Sequence, residues 1–247
     1  MTSLTVPSDK LVALSGVAKR WESITNDEYI AGMWRSRLEY YLLWRRIDVQ
    51  GEVNRSLSSR PNPYRAPTWS WAAVDGEVET AHRVTSPELA FHVRDLHLEY
   101  ATEDTTGAIT GGWLDIAGHL KPVQLHKPKD AEEDWYMSVN DEIVQSKTGY
   151  RPSIYLDVSP PSDTAFDVDN AARRLFFMTC ARPSDSNNWL LLLLFRLKDT
   201  EEKLFERIGL AVAYQFEGQE GLQLDEDVKR NLPCQSYENG LHTIRII

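Results

Sequence analysis

The sequence predicts an α+β protein, with an N-terminal helical layer packed on an antiparallel β-rich body of sandwich or barrel-like form. Three observations carry this. From Ser8 to Trp21, apolar residues recur at three- and four-residue intervals, the spacing of one helix face. From Thr68 onward the chain instead breaks into short runs of Val, Ile, Leu, Phe and Tyr bounded by Gly, Pro, Asp and Ser. With 247 residues, the chain buries enough apolar surface to fold without staples. Residues 1–50 form the helical segment and 51–247 the β-rich body, together one unit.

In chain order, "PSDKLVALSGVAKRWES" opens with Pro7 and a Ser8 N-cap, and places Leu11, Leu14, Val17, Ala18 and Trp21 on one inward face. Gly16 inside that helix marks a close contact, since it otherwise only weakens the helix, by about 1 kcal/mol. The stretch "NDEYIAGMWRSRLEYYLLWRR" is predicted helical from Asn26 or Asp27, as two short helices breaking near Ser36 or as one helix buried on two sides. The proline-rich segment from Val49 to Pro67 has no apolar period and reads as a loop.

The strands follow. "TWSWAAV" is the first, left through an Asp75-Gly76 turn. "AFHVRDLHLEY" alternates imperfectly. "WLLLLLFRL" and "KLFERIGLAVAYQF" flank the polar turn "KDTEE" and predict a hairpin whose unbroken leucines are buried on both faces. Residues 131–147 read as an acidic excursion with some helix, and "LDEDVKRNL" as one short helix.

The formal charge of −10 is uneven, because residues 1–75 carry ten basic against eight acidic groups and the remainder 17 against 29. An acidic second part opposes phosphate binding, so nucleic acid is not an expected partner. The longest apolar run, residues 189–195, is far short of a membrane span of about 18 residues, and no secretory signal opens the chain. Two cysteines are too few for a secreted disulfide framework, and a reducing, cytoplasmic setting is expected.

No reaction motif is present: there is no Gly-rich phosphate loop, His-Glu-x-x-His, Gly-x-Ser-x-Gly or Cys-x-x-Cys. His92 and His97 fall on opposite faces of a strand unless a bulge lies between them, and Pro122 separates His119 from His126, so no metal site is expected. Cys180 lies in an apolar run that disfavours its thiolate. No catalytic residue and no cofactor are therefore assigned. The remaining candidates are Trp69 and Trp71, which share a face on a strand and form either a stacking platform or a packed seam. A preceding layer with Trp21, Trp34 and Trp44 favours the seam.

Three ordered blocks resemble the segments that follow the HET domain in fungal heterokaryon-incompatibility proteins. Asp9, Lys10, Leu11, Ala13, Ser15, Gly16 and Ala18 match the first, and Tyr29, Ala31, Gly32, Trp34, Leu42, Leu43 and Trp44 the second. Ala66, Pro67, Trp69, Ser70, Trp71 and Ala72 match the third, with Thr68 in place of the usual Ser. "GGWLDIAGHL" and "FERIGLAVA" resemble weaker strand blocks further on. In that family the HET domain, which is tied to cell death and similar to folds that can hydrolyse NAD, precedes the first block. The resemblance implies a C-terminal region lacking the HET domain proper: a truncated, non-enzymatic interaction or regulatory region of self/non-self recognition, with protein partners. Two other classes compete. One is a carbohydrate- or nucleotide-binding module using Trp69 and Trp71, and the other a hydrolase gathering carboxylates such as Asp95, Asp115 and Asp157.

Overall fold

The structure, a computed structural model, describes residues 7–47, 60–80, 87–127, 134–146, 148–158, 165–172, 174–183, 189–198, 200–214 and 224–247. Most of the proline-rich loop lies outside these residues. A 3₁₀ turn at Pro7–Lys10 leads into α1, Val12–Thr25, so the helix starts later than a Ser8 cap requires. Its docking face also differs from the expected one. Leu11, Ser15 and Ala18 are buried, whereas Leu14, Val17, Trp21 and Ile24 stand 40 %, 70 %, 50 % and 64 % exposed. Polar ties choose the face: Ser15 Oγ lies 2.7 Å from Thr106 Oγ1, Lys19 Nζ 2.6 Å from Asp104 Oδ2, and the Tyr29 N–H donates to Glu22 Oε1 at 2.9 Å. Gly16 faces open space, and a Cβ placed there would meet nothing within 4 Å, so no close contact explains it.

The second segment is not a long helix. Tyr29–Ile30 (β1) and Met33–Trp34 (β2) pair antiparallel across a two-residue turn in which Ala31 has φ 48° and Gly32 φ 93°. Positive φ at both central positions is the geometry of a tight hairpin and cannot continue a right-handed helix. After one helical turn, α2 at Leu38–Tyr41, the chain extends again as β3, Trp44–Arg46, which pairs with β4, Val78–Thr80. The apolar positions are dense here because hairpin, turn and strand each bury a different side.

The body is a large, mainly antiparallel sheet, as an α+β class requires. Its strands are β5 (Pro87–Leu89), β6 (Phe91–Tyr100), β7 (Ile109–Gly118) and β8 (Leu120–Pro122). The short β9 (Gln124–His126), β10 (Tyr136–Val139) and β11 (Glu142–Ile143) make a separate small sheet. Next come β12 (Ser153–Leu156), the helix α3 (Ala165–Ala171), β13 (Leu175–Pro183), β14 (Trp189–Leu197) and β15 (Leu204–Tyr214). The helix α4 (Glu226–Arg230), β16 (Ser236–Glu238) and β17 (Leu241–Ile246) complete the order. The main path runs β5-β13-β14-β15-β17-β7-β6, and β17 joins its two halves, parallel to β15 and antiparallel to β7.

Both faces of the central strands are apolar, for the reason the leucine run gives. Leu191, Leu193 and Phe195 of β14 join Phe176, Met178, Phe205 and Leu210 in one cluster, which also receives Leu11, Leu42 and Trp69 from the N-terminal layer. Leu190, Leu192 and Leu194 point the other way, against Leu125, Met137 and Phe166 of the small sheet and α3. The imperfect alternation of β6 has a local cause, a bulge between Val93 and Asp95 that shifts the inward phase from Phe91 and Val93 to Leu96 and Leu98. Within residues 131–147, the described part is the β10–β11 hairpin, turned by Asn140 and Asp141 at positive φ. No helix among the described residues is long and apolar enough to cross a membrane.

Candidate functional site

The segment "PTWSWAA" is a turn entering a 3₁₀ helix, Trp71–Ala73, and not a strand. The Ser70 N–H donates to Pro67 O at 3.0 Å, and Ser70 then caps the helix by accepting the Ala72 N–H at 3.0 Å. Pro67 favours the turn by fixing φ, and Ser70 satisfies a donor that a helix start leaves open. Because the local chain coils, Trp69 and Trp71 do not share a face.

Each indole is engaged by a different block. Trp69 is fully buried, and its main-chain carbonyl accepts the Trp44 Nε1–H at 2.9 Å. Trp71 is half-buried and donates through Nε1 to Gly32 O at 2.8 Å. A Cβ on Gly32 would lie 2.5 Å from that nitrogen, so this position needs glycine for space as well as for its φ. Between the two tryptophans, Ser70 Oγ donates to Ala31 O at 2.7 Å. Lys10 donates to Val74 O at 2.8 Å and sits 4.8 Å from the Trp71 ring centre. Burial first, and Arg65 second, hold its ammonium down to about 8, opposed by Asp75.

The structure therefore brings Lys10, Leu11, Ala31, Gly32, Trp44, Trp69, Ser70 and Trp71 into one seam. Trp34 packs edge-on to Tyr29, ring centres 5.3 Å apart, one strand away, and the Tyr29 hydroxyl is buried with no hydrogen-bond partner among the described residues. Asp9 and Gly16 lie outside the seam, at the exposed start and flank of α1. No exposed pair of coplanar indoles exists at Trp69 and Trp71.

Of the three candidate carboxylates, two are neighbours and the third is remote. Asp95 and Asp115 are register partners on β6 and β7, and Asp115 is held by Arg245 in a two-point bridge of 2.8 Å per contact. Asp157 is fully buried elsewhere, beside Arg207. Burial pushes the Cys180 thiol far above the range of a nucleophile. The β6 bulge overturns strict alternation and leaves His92 and His97 on the same exposed face, but among the described residues no three His, Cys, Asp or Glu side chains are placed to hold a metal ion. Ser138 Oγ lies 2.8 Å from His126 Nε2, a distance suited to a nucleophile and its base. Ser138 Oγ also donates to Gln124 Oε1 at 2.9 Å, and the trio ties β9 to β10.

One charged cluster goes beyond the sequence expectations, which named only its Asp157. Arg207, 1 % exposed, stacks 3.5 Å from the Trp44 ring centre and donates to Trp44 O at 2.5 Å. Asp157 Oδ1 lies 3.4 Å from Arg207 Nη2, and Asp157 Oδ2 3.9 Å from Arg60 Nη2. Burial raises the Asp157 carboxyl and lowers Arg207 to about 10, while their mutual attraction opposes both shifts. At neutral pH Arg207 is thus charged. Its traces in the sequence are slight: a lone arginine in "FERIGLAVA" and a lone aspartate in "SIYLDV". Comparison with known proteins finds no matching family model, no matching curated protein and no matching solved structure.

Proposed function

We propose that the chain is a non-enzymatic interaction region of an incompatibility-type recognition protein, acting in the cytoplasm through a protein partner. The observation that carries the interaction reading is the stripe of Leu14, Val17, Trp21 and Ile24. It stands exposed on a helix whose opposite side is tied down by Ser15, Lys19 and Glu22. Contiguous exposed apolar patches are a mark of protein contact sites. The incompatibility-type part rests on the three resembling blocks, which interlock through contacts that need their residue types: a positive-φ glycine against an indole, a serine cap, and an indole donor to a main-chain carbonyl.

The test is proximity labelling in a filamentous fungus, with the chain fused to a biotin ligase and compared with a Val17→Glu/Trp21→Glu variant. A reproducible set of labelled proteins that disappears in the folded variant supports the reading. Identical labelling by parent and variant overturns it.

A further inference from the structure

Lys10 is placed for a chemistry that the packing of the seam does not require. Its ammonium donates to Val74 O at 2.8 Å, and the same carbonyl takes a second bond, from Arg65 Nη2 at 2.9 Å. Two cations therefore share one acceptor. Arg65 cannot relieve the crowding, because a guanidinium keeps its proton and this one is buried, with Nε fixed on Ala72 O at 2.6 Å. The carboxylate that answers the pair, Asp75, bonds to Arg65 Nη2 at 2.8 Å and stands 56 % exposed. On its other side Lys10 meets the Trp71 ring, whose face attracts a cation but withholds the water that would solvate it. Lost hydration first, and Arg65 second, thus favour the neutral amine and hold the group down to about 8 against the pull of Asp75. At neutral pH about one amine in ten is then unprotonated, against fewer than about one in a thousand for an ordinary lysine. The side chain keeps part of its surface in solvent.

We propose that Lys10 is a modification site, an amine that takes an acyl group from a small thioester. The amine lone pair attacks the thioester carbonyl carbon, the C–S bond breaks with its electron pair on sulfur, and the proton lost by nitrogen passes to the departing thiolate. One amide forms, one thioester is consumed, and nothing is oxidised or reduced. Desolvation and a neighbouring cation are the means by which a lysine becomes a nucleophile near neutral pH, and both act here. The product also suits its surroundings better than the ammonium does. An amide keeps one N–H for Val74 O, carries no charge against Arg65, and offers the Trp71 ring an apolar group. Acylation therefore tightens the tie between the N-terminal turn and the seam, whether or not a partner docks on α1.

Timed incubation of the folded chain with acetyl-coenzyme A, read by peptide mass spectrometry as the fraction acetylated at each lysine, tests this. Lys203 is the control, because it is exposed and access alone would make it the faster of the two. At about pH 7.5, Lys10 is expected to react about tenfold faster than Lys203, with a rate that levels off above its pKa of about 8 instead of climbing through the ordinary lysine range. Asp75→Asn removes an exposed carboxylate that holds the proton on, so it speeds Lys10 by about twofold and leaves Lys203 unchanged. Unfolding the chain in urea brings the two lysines to the same rate. Chain carrying acetyl-lysine at position 10 melts at or above the parent at neutral pH. The proposal is overturned if Lys10 reacts no faster than Lys203, if its rate keeps climbing with pH as that of Lys203 does, if Asp75→Asn leaves it unchanged, or if the acetylated chain melts below the parent.

Discussion

Replacing Trp69 with Ala is the sharpest probe of the seam. The side chain is 0 % exposed, and truncating a fully buried aromatic costs about 3 to 5 kcal/mol. Two structural details adjust that figure. The Trp69 Nε1–H is buried with no acceptor among the described residues, so its removal returns about 1 kcal/mol of desolvation cost. The Trp44 indole bonds to the main-chain carbonyl of Trp69, and this contact survives the substitution. The net loss is about 2 to 4 kcal/mol, equivalent to a melting shift of roughly 4 to 16 °C for a chain of this size. Trp21 is the matched control: it is 50 % exposed on α1, and Trp21→Ala stays within about 0.5 kcal/mol of the parent. Urea and thermal unfolding of both variants beside the parent, with acrylamide quenching to report indole exposure, give the comparison. A Trp69→Ala melt indistinguishable from that of Trp21→Ala would refute the packing assignment.

Gly32→Ala combines a positive-φ strain with a Cβ 2.5 Å from Trp71 Nε1, and destabilises by about 2 to 4 kcal/mol. Adding Trp71→Leu recovers part of that loss, and strict additivity in the double-mutant cycle would show that the two residues do not meet. For Lys10, the folded state binds its proton less tightly than the unfolded chain does, since burial lowers it from 10.5 to about 8. Its charge therefore costs stability below pH 8, and that cost is relieved as pH rises from about 8 toward 10.5. Urea unfolding across about pH 7.5 to 9.5 should show a rising component that Lys10→Met lacks, and parallel profiles would rule it out. Finally, NAD incubated with concentrated, repurified chain should remain intact by chromatography. Turnover that copurifies with the chain contradicts the non-enzymatic reading.

The β-body was legible because its signal is local. Unbroken leucines in β14 can only serve a strand covered on both sides, and the polar turn after them fixes the hairpin. Residues 26–46 misled because Tyr, Trp and Leu fill a tight hairpin, a single helical turn and a strand as densely as they fill a helix. The decisive residue there is Gly32, whose φ of 93° the periodicity does not register. In α1, periodicity located the helix but not its docked side, since Ser15 and Lys19 fix the orientation through Thr106 and Asp104, 91 and 85 residues away. The members of the seam are all residues of the three motif blocks. The Arg60–Asp157–Arg207 cluster is not, because charges spread over three distant segments announce themselves only once the sheet brings them together.

The place of β17 has a kinetic consequence. Its neighbours β7 and β15 precede it by more than 120 and about 40 residues, so the contacts that join the two half-sheets are among the longest-range in the chain. Loop-closure entropy must be met before such contacts form, which makes folding slow for a chain of this length. During synthesis the β7 edge and the Leu204–Phe205 end of β15 stay unpaired until β17 has left the ribosome. Such an interval calls for chaperone protection, and it makes recombinant yield more sensitive to translation speed and temperature than to the stability of the finished fold.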